Sequence, residues 1–251
     1  MTPTTIVLLS AAALIAGAVD AIGGGGGLLT LPALLWAGLP PHLALGTNKG
    51  ISTWGTAAAT ATFGWAGRLG LRDFAFGFLG GALGAIFGAR LQLSFPPHAL
   101  RPVVLVLLTA VAIGLAVYRP KERKGVARPA RSPLLPFAIA TAVGAYDGFF
   151  GPGTGTFLIV AYVSLLGASL AEATAEAKAV NLGSNVASLV TFAIRGTVLW
   201  NVALPMAIAN VVGGVVGARI AVRKGDRVIR LVVIAVSLSL VAKLAWDLLR
   251  H

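Results

Sequence analysis

Three apolar runs, residues 74–92, 102–118 and 228–246, constrain this chain more than any other feature. Each approaches the ~20 residues that an α-helix needs to cross the hydrocarbon of a bilayer. Only 11% of the residues are charged, whereas soluble domains carry about 25%. The pattern argues against a water-soluble globule and for an all-α polytopic membrane protein sitting in a lipid bilayer.

The net charge of +12 would suggest a nucleic-acid partner in a soluble protein, but its placement argues otherwise. Arg119, Lys121, Arg123, Lys124, Arg128 and Arg131 lie in one linker; Arg219, Arg223, Lys224, Arg227 and Arg230 lie in another. Both clusters sit between apolar segments, where cytoplasmic loops collect Lys and Arg. No aromatic residue interleaves with them, so no stacking surface for nucleic acid is expected. The chain has no cysteine, which excludes disulfides, thiolate metal sites and cysteine catalysis. The N-terminal stretch ends in a signal-peptide-like Ala16-Gly17-Ala18 but has no basic residue before its apolar run.

An internal repeat gives a stronger reason to keep that stretch in the fold. Gly84, Gly88, Ala89 and Arg90 recur 129 positions later as Gly213, Gly217, Ala218 and Arg219. At the same spacing Lys49 pairs with Lys178, Phe63 with Phe192, and Gly67 with Gly196. Upstream the register shifts by two, so that Asp20 pairs with Asp147 and Gly24 with Gly151. The expected organisation is membrane repeat 1 over 1–118, a basic cytoplasmic linker over 119–133, and membrane repeat 2 over 134–251.

Each repeat contains five apolar elements: 4–22, 27–39, 46–66, 74–92 and 98–118 in the first, and 134–147, 155–168, 175–194, 202–222 and 228–249 in the second. With the linker inside, the 93–100 loop falls outside and its equivalent, the basic 219–230 loop, falls inside. Equivalent loops on opposite sides make an inverted-topology repeat, as in many secondary transporters. Elements two and seven are too short to span, which suggests re-entrant half-helices at the glycine-rich motifs.

Polar groups recur within these apolar segments. Asp20, Gly23 to Gly27 and "GTNKGIST" in repeat 1 have Asp147, "GPGTG" and "EAKAVNLGSN" as counterparts in repeat 2. Ionisable side chains inside a membrane are costly and normally face a cavity or pathway. Glycine breaks expose backbone N–H groups at helix starts, where the helix dipole favours an anion. A small-anion site is therefore expected from Gly25, Gly26, Gly27, Thr47, Asn48, Lys49, Gly153, Thr154, Lys178, Asn181 and Asn185, with hydroxyl donors such as Thr156 and Ser184 close by. Asp20, Asp147 and Glu176 suit proton or cation coupling, and no other cofactor is expected.

The structural alternative pairs Asp20 with Lys49 and Asp147 with Lys178 as ion pairs inside each repeat. The Gly84-x-x-x-Gly88 and Gly213-x-x-x-Gly217 stripes read as close helix packing, and Arg90 and Arg219 as snorkelling helix-end residues. His42, His98 and His251 are scattered, so no metal site is expected. Neither glycine run has the ending of a P-loop. With no Ser-His pair or acid pair at catalytic spacing, an enzyme is the most distant reading. A passive anion channel, or a carrier of another small anion such as a carboxylate, remains the rival to a secondary transporter; a homo-oligomer stays open.

"VDAIGGGGGLLTLPALLWAGLPPHLALGTNKG" and "GAYDGFFGPGTGTFLIVAYVSLLGASLAEATAEAKAVNLGSNVASL" resemble the paired signatures of the TauE/SafE sulfite exporter family, also called the 4-toluene sulfonate uptake permeases. The resemblance implies a prokaryotic inner-membrane transporter of small sulfur-containing anions such as sulfite or organosulfonates, often working by export. It also implies that Asn48, Lys49, Lys178 and Asn181 sit in the motif-bearing core. Glu176 and Ala177 depart from the Thr with His or Asn that relatives tend to carry before the second lysine.

Overall fold

The computed structural model describes residues 1–96, 98–100, 102–107, 110, 133–225 and 228. Among them eight helices follow in order: α1 (Pro3–Gly23), α2 (Gly27–Trp36), α3 (Pro41–Trp65), α4 (Leu71–Ser94), α5 (Leu134–Phe149), α6 (Thr154–Leu166), α7 (Leu170–Ile194) and α8 (Trp200–Lys224). Residues 98–100 and 102–107 are also helical, and no strand occurs among the described residues. The all-α polytopic class therefore holds. Of the expected elements, much of 98–118 and all but the first residue of 228–249 lie outside the described residues, as does the linker 119–132.

The central helices start earlier than their apolar runs. Pro41 opens α3 at a position where its missing N–H would be unpaired in any case. A capping box opens α7, the Ser169 hydroxyl and the Glu172 carboxylate each accepting from the other's backbone N–H. Both helices end alike. The Arg68 N–H donates to the Phe63 carbonyl at 3.0 Å, and the Thr197 N–H to the Phe192 carbonyl at 3.0 Å. Gly67 and Gly196 complete these turns in the left-handed region, both at φ +67°, where the missing Cβ removes the usual penalty. The paired Phe63 and Phe192 are among the largest fully buried side chains.

Among the described helices, α1, α4 and α8 are long and apolar enough to cross a membrane. At 25 residues each, α3 and α7 are just as long, but their polar residues lower their hydropathy. Those residues are buried, whereas apolar side chains such as Leu83, Phe87 and Ile208 are exposed on α4 and α8. This inversion suits a molecule whose surroundings are acyl chains.

The principal contacts sort the helices into two bundles: α1, α2, α3 and α8 in one, α5, α6, α7 and α4 in the other. Thus α4 packs with the helices that follow the linker and α8 with those that precede it, and the principal contacts correspond when α1–α4 are exchanged for α5–α8. Glycine stripes make the exchange. A Cβ at Gly84 would lie 2.0 Å from the Thr141 carbonyl oxygen, and one at Gly213 would lie 2.0 Å from that of Leu14. Gly88 and Gly217 make equally close backbone contacts to Ala145 and Ala18, so the stripes are packing surfaces. The bundles meet mainly where α3 faces α7.

Candidate functional site

The glycine runs break the helices where expected. α1 ends at Gly23, Gly24 takes φ +76°, and α2 begins at Gly27. Across the bundle interface Gly153 takes φ +85° and α6 begins at Thr154. Neither α2 nor α6 has a side-chain cap at its start. The two breaks touch: a Cβ at Gly24 would lie 2.3 Å from the Gly155 backbone, and one at Gly155 would lie 2.4 Å from Gly24. The Thr156 hydroxyl also donates to the Gly23 carbonyl at 2.7 Å. Glycine at these points lets two helix starts approach one another, with no side chain between them.

Both lysines converge on this junction, but their partners differ from the expectation within each repeat. Lys49 Nζ pairs with Asp147 Oδ2 at 2.8 Å, and Lys178 Nζ with Asp20 Oδ2 at 2.9 Å. Each pair joins one repeat to the other. The physical reason is the exchange of bundles: α3 faces α7 across the interface, so the nearest carboxylate to each lysine comes from the opposite bundle.

The pairs sit in different networks. Asp147 accepts from Lys49, from the Thr154 hydroxyl at 2.8 Å and from the Ser184 hydroxyl. Lys49 also donates to Asn185 Oδ1 at 3.0 Å, and Asn185 Nδ2 donates to the Thr56 hydroxyl at 3.3 Å. Asp20 accepts from Lys178 and, at 3.4 Å, from the Gly26 N–H. Lys178 additionally donates to the backbone carbonyl of Asp20. The Thr30 hydroxyl holds Asn48 Oδ1, leaving the Asn48 amide group as a donor set. Tyr146 steadies the second break by donating to the Pro152 carbonyl at 2.5 Å.

Between these groups lies a small cavity lined by Asp20, Gly24, Gly27, Asn48, Lys49, Ser52, Thr56, Asp147, Gly151, Thr154, Gly155, Asn181 and Asn185. Its volume, about 20 Å³, compares with the 10–15 Å³ that one water requires.

Of the residues expected to bind, Gly27, Asn48, Lys49, Thr154, Asn181 and Asn185 line the cavity. Gly25 and Gly26 form the adjoining turn, and Gly153 precedes α6. Lys178 reaches the cavity wall through Asp20. Thr47 faces elsewhere, accepting from the Leu199 N–H at 3.1 Å. Of the coupling residues, Asp20 and Asp147 line the cavity. Glu176 is half-buried on α7 and is not among the lining residues.

Five lining residues were not among those expected to bind: Gly24, Gly151 and Gly155 of the glycine motifs, and the hydroxyl residues Ser52 and Thr56. For the hydroxyl residues the signal was present in the 129-residue register, which matches Ser52 to Asn181 and Thr56 to Asn185. Both also follow Lys49 at i+3 and i+7, on its face of the helix.

Two interlocked helical bundles, with paired intramembrane charges facing a polar cavity at their interface, describe a membrane transporter. The chain belongs to the sulfite exporter TauE/SafE family, whose model matches residues 9–244. It is 36% identical over 249 residues to the probable membrane transporter protein YfcA of Escherichia coli K12, covering 98% of this chain and 92% of that protein. A probable membrane transporter protein of Haemophilus influenzae is 37% identical over 172 residues, 68% of this chain and 67% of its own. The probable membrane transporter protein ORF9 of Sinorhizobium is 37% identical over 174 residues, which is 68% of this chain and 65% of that protein. No solved structure matches. The family and these names mark a multi-pass membrane transporter rather than an enzyme.

Proposed function

We propose that the protein is a secondary transporter that exports small sulfur-containing anions, sulfite or organosulfonates, by alternating access. Repeats 1–118 and 134–251 are inverted about a site near the midplane of a prokaryotic inner membrane, with the 119–133 linker cytoplasmic. The moving bodies are the two bundles. Gly25, Gly26, Gly27, Asn48, Lys49, Gly153, Thr154, Lys178, Asn181 and Asn185 form or frame the anion site, and Asp20 and Asp147 supply the coupling charges; Thr47 and Glu176, expected from the sequence, lie outside it.

The crossed ion pairs carry this reading. An anion entering between the bundles competes with the aspartates for Lys49 and Lys178, so its binding weakens the bonds that hold the bundles together. Two lysines and two aspartates sum to zero, so a lone anion leaves one negative charge in a low-dielectric site. A co-bound proton or cation removes that charge.

Reconstituted protein tests the proposal. Sulfite or methanesulfonate should accumulate uphill in proteoliposomes when a proton gradient is imposed, and Lys49→Ala and Lys178→Ala should each reduce that flux at least tenfold. Flux that only runs downhill would support a channel. Uphill movement of a carboxylate alone would keep the mechanism and replace the cargo.

A further inference from the structure

The two aspartates are equivalent in the repeat but not in their surroundings, and the difference assigns them separate tasks. We propose that Asp20 takes up and releases the proton that travels with the anion, so that export runs when the anion's outward gradient exceeds the inward proton gradient, while Asp147 stays ionised and ties Lys49 in place. This rests on the anion-transport reading above and goes beyond it by naming one carboxylate.

Three observations carry the assignment. First, the Asp20 side chain is 22% exposed and lines the cavity, whereas that of Asp147 is 5% exposed. A proton reaches Asp20 through the space the anion uses. Second, Asp147 meets three donors, from Lys49, Thr154 and Ser184. A protonated carboxyl must present an O–H of its own, and at Asp147 that proton would face the donor-only Lys49 ammonium or require the Thr154 and Ser184 hydroxyls to turn wholly to their second acceptors, the Gly151 and Asn181 carbonyls. Among the described residues Asp20 Oδ2 meets only Lys178, and Oδ1 only the long contact to the Gly26 N–H, so its carboxyl has room to turn an O–H toward the cavity. Third, Lys178 also holds the Asp20 backbone carbonyl. Protonation of the carboxylate therefore leaves Lys178 anchored, with its charge no longer balanced beside the cavity.

The other neighbours of Asp20 fit this role. α3 contributes Lys49 and α5 contributes Asp147, both lining the same cavity. α2 brings the Gly26 N–H, and α6 brings the backbone of Gly155 and Thr156 against Gly24. The charged side chains of α8, Arg219, Arg223 and Lys224, are exposed. With Asp20 neutral the four charged groups sum to +1, which one monoanion cancels. Proton and anion thus bind cooperatively, and each raises the other's affinity by the same factor.

Methanesulfonate is the probe, because it remains a monoanion as pH changes. For the wild type, its apparent Kd should rise about tenfold per pH unit on the alkaline limb, as linkage of one proton requires. Asp20→Asn should bind methanesulfonate with no pH dependence and exchange it between loaded vesicles, yet fail to accumulate it on a proton gradient. Asp147→Asn should keep the slope in whatever folded fraction survives. A retained slope in Asp20→Asn, or a lost slope in folded Asp147→Asn, overturns the assignment.

Infrared spectra of anion-free protein separate failure of this assignment from failure of the anion reading. The wild-type spectrum should contain one protonated-carboxyl component, growing on acidification above the background of the other carboxylates, that Asp20→Asn lacks and Asp147→Asn retains. Its persistence in Asp20→Asn overturns the proposal whether or not any anion binds.

Discussion

The contacts within each bundle and the contact between the bundles are built from different materials. Inside the bundles, α4 meets α5 and α8 meets α1 through glycine, with backbone against backbone and no room for even a methyl group. Between them, apart from the one point where Gly24 meets Gly155, α3 and α7 meet through lysine, asparagine, serine and threonine around a cavity. A glycine seam has one way to pack, because any shift opens voids or drives atoms together. A polar seam offers several exchangeable hydrogen-bond partners. The contrast fits the proposed alternating access, in which the bundles would move as bodies and part at the polar seam.

The largest effect should follow from stranding a charge in the polar seam. Lys49→Met leaves the buried Asp147 carboxylate without its cation, and loss of one partner of a buried pair costs about 3–5 kcal/mol. Unfolding in detergent should show that loss. The double variant Lys49→Met/Asp147→Leu should recover most of the stability while remaining inactive in flux assays. If the double variant were as unstable as the single one, the pair would be holding the fold rather than serving the site.

Next comes the glycine seam. Gly84→Val and Gly213→Val should each cost about 1–3 kcal/mol by overpacking, since the added Cβ in each falls 2.0 Å from a backbone oxygen. Equal losses at the two positions would support equivalent seams in the two bundles. A neutral result at either would show that its helix pair can separate cheaply.

A smaller change is expected where the helix breaks touch. Thr156→Val removes a buried hydrogen bond to the Gly23 carbonyl, at about 1 kcal/mol of stability. Transport should fall by more than stability does, because this bond aligns the breaks across the bundle interface. The smallest effect is expected outside both seams. Phe87, 66% exposed on α4, should tolerate Leu within about 0.5 kcal/mol, as surface changes usually do.

The same contrast explains what could be read along the chain. The hydropathy of α4 and α8 announces spans, and their glycine spacing announces close packing. For α3 and α7 the signal was the reverse, a polar stretch inside an apolar frame, and it marked the site more clearly than the span. The starts of α3 and α7 were missed because proline and a capping box act through the backbone, outside any apolar run. Ser52 and Thr56 were missed because hydroxyls on a membrane helix commonly bond to their own preceding turn, as Thr53 does with the Lys49 carbonyl at 2.7 Å. Their place at the cavity emerges only when the repeat register is laid over the helix face.

By itself the sequence determined the helices, the two backbone breaks and the equivalence of Asp20 with Asp147 and of Lys49 with Lys178. Hydropathy and glycine placement act within a few turns of chain, and the 129-residue spacing is a comparison of sequence with itself, so each can be read without the fold. Which aspartate meets which lysine was decided by tertiary structure alone. Helical spacing says which face a charge occupies, but the partner across that face depends on how the repeats exchange their fourth helices. That exchange joins Lys49 to Asp147 and Lys178 to Asp20, and it makes each ion pair a bond between the two bundles.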